Sequence, residues 1–153
     1  MFNNLFSRKP KEFFSPDERK KIVDAIRASE KRTSGEIRVF VESRCSYVEP
    51  LDRAVEIFYG LKMEETEDRN AVLLYVAMKD RQLAVYADKG IHEKMGTGFW
   101  QTEVNKMISL FNTTQYGDGI AGIVSEIGIA LHYHFPYEDD DKNELPDDIV
   151  FGR

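Results

Sequence analysis

Cysteine is nearly absent. Cys45 is the single one in 153 residues, so no disulfide can close within the chain, and a reducing setting is expected. Proline is scarce, five in all, and no Pro-, Gly- or Ser-rich stretch divides the sequence; one domain is therefore the expectation. No apolar run approaches the ~20 residues of a membrane-spanning helix. Arg8, Lys9 and Lys11 near the start are followed by no apolar stretch or cleavage site, which points to a soluble, cytoplasmic protein rather than a secreted one. Histidine is also rare: of three, His132 and His134 lie two apart, unlike the i, i+4 pair of a zinc helix. Basic excess is missing too. Lys and Arg number 21 against 27 Asp and Glu, and without a basic stripe nucleic acid is not an expected partner.

What the chain does have is apolar and aromatic mass. Ten Phe, seven Tyr and one Trp supply a core that needs no disulfide or metal staple, since a chain of this size buries roughly 70% of its unfolded surface. Its acidity is concentrated at the end: residues 138–153 hold seven acidic and two basic side chains. Residues 137–153 are therefore expected to be a solvated, flexible tail, although Ile149, Val150 and Phe151 form an apolar trio able to dock. Residues 1–14 form an N-terminal arm, which leaves 15–136 as the domain.

Ser15-Pro16-Asp17-Glu18 combines an N-cap serine, proline at the first helical position and glutamate three residues after the cap. A helix with Ile22, Val23 and Ile26 on its apolar side follows, and Gly35 is expected to end it. Residues 36–43 alternate with period two, as a strand does. Pro50 opens a second helix, expected to bury Leu51, Ala54, Val55, Phe58 and Leu61. After an acidic loop, residues 71–78 are continuously apolar, which suits a central strand covered on both faces. The turn at Lys79, Asp80 and Arg81 leads to a second strand, 82–87, forming a hairpin. A short helical turn from Ile91 follows, then a helix over 99–111 and a last helix from Ile120 to about His134. The predicted fold class is α/β: a three-layer α/β/α sandwich with a mixed sheet, in which a β-α-β crossover is followed by a hairpin and helices cover both faces.

This topology makes the acidic residues informative. A right-handed crossover sets the first two strands parallel, so both start at one edge of the sheet, and the hairpin returns the third strand to that edge. Glu36, Asp68, Asn70 and Asp88 then converge beneath the loop 64–67. Two unit charges ~4 Å apart repel by on the order of 4 kcal/mol at an intermediate dielectric, so such a group shares protons, stays solvated or binds a cation. Oxygen donors of this kind suit a hard divalent ion, Ca²⁺ or Mg²⁺. The simpler alternative is that each residue caps or solvates its strand end, with Arg69 and Lys89 neutralising part of the charge. No EF-hand spacing is present.

Ser34-Gly35-Glu36-Ile37-Arg38-Val39, the run 68–74 (DRNAVLL), the run 85–91 (VYADKGI) and Tyr116-Gly117-Asp118-Gly119-Ile120 lie in an order and spacing that resemble the TPM domain. That family includes a thylakoid-lumen acid phosphatase and photosystem II repair factors. The resemblance covers about 14–134. It implies an α/β/α sandwich, calcium binding carried by Asp68 and Asp88 with Glu36 nearby, and, in some members, weak phosphatase activity. Many relatives have Asn-Gly where this chain has Asn70-Ala71, and Gly-Tyr-Gly where it has Tyr86-Ala87-Asp88. Many also carry a signal peptide and a membrane anchor, neither of which is seen here.

For catalysis the residues offer little. A cysteine phosphatase needs arginine six residues after its nucleophile, and Leu51 stands there. Gly117-Asp118-Gly119 lacks the P-loop lysine. Asp118 is expected to be a helix N-cap, with a ligand role only if its helix folds back to the acidic edge. Three functions are therefore carried forward: a domain binding a divalent cation, calcium first, through Glu36, Asp68, Asn70 and Asp88 as a structural or regulatory module; a weak metal-assisted acid phosphatase; and a protein-protein interaction domain.

Overall fold

The computed structural model describes residues 13–111, 115–137 and 148–152. α1 (Pro16–Glu30) starts at the expected capping box: the Glu18 amide donates to Ser15 Oγ at 3.1 Å, and the Ser15 amide donates to Glu18 Oε1 at 2.9 Å. It stops earlier than Gly35, at Lys31. The chain leaves the helix there because its next residues bond elsewhere: the Ser34 amide donates to the Phe135 carbonyl at 2.9 Å, and Thr33 bridges Pro136.

β1 (Glu36–Glu42), β2 (Ala71–Ala77), β3 (Gln82–Ala87) and β4 (Val150–Phe151) form one sheet in the order β3-β2-β1-β4. β1 and β2 are parallel, with Glu36 opposite Ala71, whereas β3 returns antiparallel with Ala87 opposite Val72. The crossover between β1 and β2 is α2 (Pro50–Gly60). It buries Ala54, Ile57 and Phe58 and leaves Leu51 46% exposed, a face turned from the expected one. The cause is its seat: α2 packs mainly over β3 and β2, where Phe58 meets the edge of the Tyr86 ring.

On the other face lie α1, α4 (Thr97–Phe111) and α5 (Tyr116–His132), with the short α3 (Lys89–Met95) leading into α4. Gly96 joins α3 to α4 at φ 87°, a left-handed turn that side chains with a Cβ resist. α1 and α5 touch closely. A Cβ on Gly128 would lie 2.5 Å from Ser29 Oγ, and the Ser29 hydroxyl donates to the Val124 carbonyl. Strand alternation divides the core: Val39, Val41, Val72 and Leu74 pack with Ile22, Ile26, Ile123 and Ile127, while Phe40, Leu73 and Tyr75 pack with Ala54, Ile57 and Phe58. The fold is the α/β/α sandwich with a mixed sheet.

Two further expectations need correction. α5 begins at Tyr116, not Ile120, with Gln115 as its N-cap. Asp118 therefore sits inside the first turn, where it takes a 2.9 Å ion pair from Lys21 and favours the helix dipole instead of capping. The end of the acidic tail does not stay in solvent either. β4 runs parallel to β1, with Phe40 opposite Val150 and the Gly152 amide donating to the Val41 carbonyl at 2.7 Å. The apolar trio supplies the reason, since Ile149 and Val150 are buried there. Residues 138–147 of the expected flexible tail, and 1–12 of the arm, lie outside the described residues.

Candidate functional site

The edge where β1 and β2 begin and β3 ends is built by backbone bonds between remote segments. The Glu36 amide donates to the Asn70 carbonyl at 3.4 Å, the Asp88 amide to Ala71 at 2.9 Å, and the Gly90 amide to Arg69 at 2.9 Å. Glu36, Ala71 and Asp88 continue one row across the sheet. Strand spacing sets the outer two about 10 Å apart at their Cα atoms, across a residue with only a methyl side chain. Asp68 stands at the same edge. A Cβ on Gly90 would come within 2.2 Å of the Asp68 carbonyl and 2.6 Å of Arg69's, so glycine there lets the first turn of α3 press on the loop.

The four expected site residues have different surroundings. Asp88 is 1% exposed and is the N-cap of α3, accepting the Lys89 amide at 2.8 Å. Both its carboxylate oxygens are also taken by Arg69, Nε at 2.6 Å and Nη2 at 2.8 Å. In return, the hydrogen bonds to Asp88 hold the Arg69 guanidinium above its ordinary pKa. Arg69 reaches this position from a left-handed backbone, φ 50°. Asn70 is 1% exposed; its Nδ2 donates to Ser34 Oγ at 3.4 Å, while its Oδ1 is buried with no hydrogen-bond partner. Glu36 is buried. Asp68 is exposed and lines a hollow of about 340 Å³ with Gly90, Glu93, Lys94 and Phe135, where Lys94 lies over the Phe135 ring.

The structure thus brings the four segments to one edge, but Asp88 turns inward to an arginine while Asp68 faces out. Among the described residues no group of three or more His, Cys, Asp or Glu is arranged to hold a metal ion. Two oxygens not singled out from the sequence are added by the loop above: Glu64 Oε2 and Thr66 Oγ1 are buried without hydrogen-bond partners. Only the acidic character of 64–67 signalled them. The histidines lie apart: His92 Nδ1 contacts Thr97 Oγ1, and His132 Nδ1 contacts the Arg32 carbonyl at 2.9 Å.

At the opposite end of the sheet a second polar group is fully engaged. Glu42 accepts both Nε and Nη2 of Arg53, each at 3.0 Å, and the Tyr75 hydroxyl. Arg53 also reaches Glu56, to which Tyr47 donates at 2.6 Å. Burial works against the charge on Arg53, yet its hydrogen bonds to Glu42 and Glu56 hold it above its usual pKa.

The TPM domain model matches residues 8–130. The fold is similar to the NMR structure of the BA42 protein from the psychrophilic bacterium Bizionia argentinensis, with a TM-score of 0.83 and 41% identity over 95% of this chain and 100% of that one. It is also similar to the N-terminal domain of a protein from P. gingivalis (TM-score 0.55, 15% identity, 83% of this chain and 84% of that one). A third likeness is to the N-terminal domain of the cg2496 protein from Corynebacterium glutamicum (TM-score 0.53, 12% identity, 95% and 93%). The last two speak for the fold alone. A search of the curated proteins finds no match. Among the described residues no helix is long and apolar enough to cross a membrane. With the family model spanning most of its length, the chain belongs to the TPM domain family.

Proposed function

We propose that this TPM domain binds a divalent cation, calcium, as a structural or regulatory module at the edge shared by β1, β2 and β3. The observation that carries the reading is Asn70 Oδ1, a buried carbonyl oxygen without a donor. Leaving such an acceptor unsatisfied costs about 1–3 kcal/mol, and a hard cation that takes six to eight oxygens is a fitting partner for it. Thr66 Oγ1 and Glu64 Oε2, equally without hydrogen-bond partners, would add neutral and anionic oxygens from the loop that precedes Arg69. Asp68 supplies an accessible carboxylate, while Glu36 and Asp88, flanking Ala71, already have partners of their own.

Calcium at this edge would neutralise the carboxylates and order residues 64–70. Arg69 sets a condition, because its guanidinium already balances Asp88. A cation that uses Asp88 must displace that fork; one that uses only Asp68, Asn70 and the loop need not. A metal-assisted phosphatase would need the same ion to activate a water, so hydrolysis of a phosphomonoester by wild type but not by Asp68→Asn is its separate assay.

The test is a calcium titration followed by amide NMR and thermal melting. Shifts confined to residues 64–70, 36 and 88–90, a raised melting temperature, and loss of both in Asp68→Asn are expected. If millimolar calcium moves neither the amides nor the melting temperature, the reading is wrong.

A further inference from the structure

We propose that Arg38 anchors a small anion site, separate from the calcium edge, that takes a carboxylate from a second molecule. Arg38 lies in the middle of β1, opposite Leu73, and is 8% exposed. Among the described residues it has neither a hydrogen bond nor an ion pair, and its Nε is buried without a partner. Burial alone depresses its pKa, with no carboxylate raising it. A buried guanidinium without an anion is rare because the charge loses water and gains nothing in exchange.

Among the described residues the nearby carboxylates do not serve it. Arg38 shares a strand face with Glu36, Phe40 and Glu42 by alternation. Glu42 is taken by Arg53 and Tyr75, and Asp88 by Arg69. Glu36 has a partner of its own, and no pair joins it to Arg38. Because α2 packs mainly over β3 and β2, Arg38 occupies the part of this face beside the helix, not under it. The 8% of Arg38 left exposed is the surface a small anion would reach.

Charge and shape select the ligand class. The planar fork presents parallel N–H donors that match a carboxylate. One arginine balances a monoanion, whereas a phosphate dianion would leave an uncompensated charge near Glu36.

The experiment follows the Arg38 Nε–Hε resonance of the full chain while sodium acetate, sodium phosphate or sodium chloride is added at matched ionic strength. A saturable shift with acetate, none with chloride, and no tighter response to phosphate are expected. In Arg38→Met the amides of residues 37–39 and 73 should lose their acetate response. Without added anion this variant should melt above wild type, since it no longer buries an unpaired charge. An unmoved Nε–Hε resonance, backbone shifts that survive in Arg38→Met, a variant that melts lower, or a response to phosphate alone would each overturn the assignment. The wild-type Nε titration decides by itself if Arg38→Met does not fold.

Discussion

Arg69 closes a two-point fork on Asp88, with Nε at 2.6 Å and Nη2 at 2.8 Å from the two carboxylate oxygens. The pair joins the loop before β2 to the N-cap of α3, so one ion pair ties two segments remote in sequence. Removing the guanidinium leaves a buried carboxylate with, among the described residues, the Lys89 amide as the one remaining donor to its side chain, a costly state. Arg69→Met should therefore melt several degrees below wild type in EDTA. If calcium can take the guanidinium's place on Asp88, it should raise the melting temperature of Arg69→Met more than that of wild type. Equal shifts in both proteins would mean that the cation does not use Asp88.

Gly90 gives a steric test of the same edge. A methyl group there would meet the Asp68 carbonyl at 2.2 Å and the Arg69 carbonyl at 2.6 Å, both backbone atoms that cannot rotate aside. Overpacking of this kind costs about 1–3 kcal/mol. Gly90→Ala should lower the urea midpoint accordingly, and the NMR shifts should centre on residues 68–71 and 88–91. Gly98, with open space around it, is the control: its alanine variant should be neutral or slightly stabilising because it sits in α4.

Tyr75 and Tyr86 predict alkaline instability. Burial and the hydrogen bond to Glu42 push the Tyr75 hydroxyl far above its usual pKa. Burial, then hydrogen bonding with Tyr59, pushes Tyr86 up to about 12. The unfolded tyrosines ionise near pH 10, whereas the folded ones retain their protons. Their contribution is thus fully present below about pH 10 and is lost as pH rises, at up to about 1.4 kcal/mol per pH unit for the buried Tyr75 and less for the partly solvated Tyr86, whose loss falls over about pH 10–12. Urea unfolding between pH 8 and 11.5 should show this decline, with a shallower slope in Tyr75→Phe. At pH 8 that variant should be less stable by about 1–2 kcal/mol, because Glu42 loses a donor.

Local chemistry made most of the framework legible. The capping box at Ser15, the period-two run from Glu36 and the turn at Lys79 each leave a signature within a few residues, and the crossover rule converts them into one shared edge. What failed depended on tertiary partners. α2 is rotated because Ile57 and Phe58 answer to β2 and β3, which no periodicity within the helix reveals. Asp118 looked like a cap beside its glycines, but Lys21, remote in sequence, is what it meets. At the edge itself, the positions of Glu36, Asn70 and Asp88 followed from register, while the direction of each side chain did not. The inward turn of Asp88 depends on Arg69 adopting φ 50°, a conformation that sequence does not announce.

β4 carries the remaining prediction. Without it, β1 would present unpaired amides and carbonyls at Phe40 and Val41 along a strand that is otherwise buried. A bare edge of that kind recruits other strands. The two-residue strand supplies little hydrogen bonding, so its hold comes from burying Ile149 and Val150 and from Phe151, which meets Phe13, Phe14 and Arg19. Truncation after Asp148 removes those contacts together and should cost about 2–4 kcal/mol by the scale of buried aliphatic side chains. Light scattering at rising concentration should then show more self-association than wild type does. Val150→Thr, which keeps β-branching and the backbone bonds, should lose part of the stability but associate no more than wild type. If that substitution associates as readily as the truncation, apolar exposure rather than the uncovered strand edge is responsible.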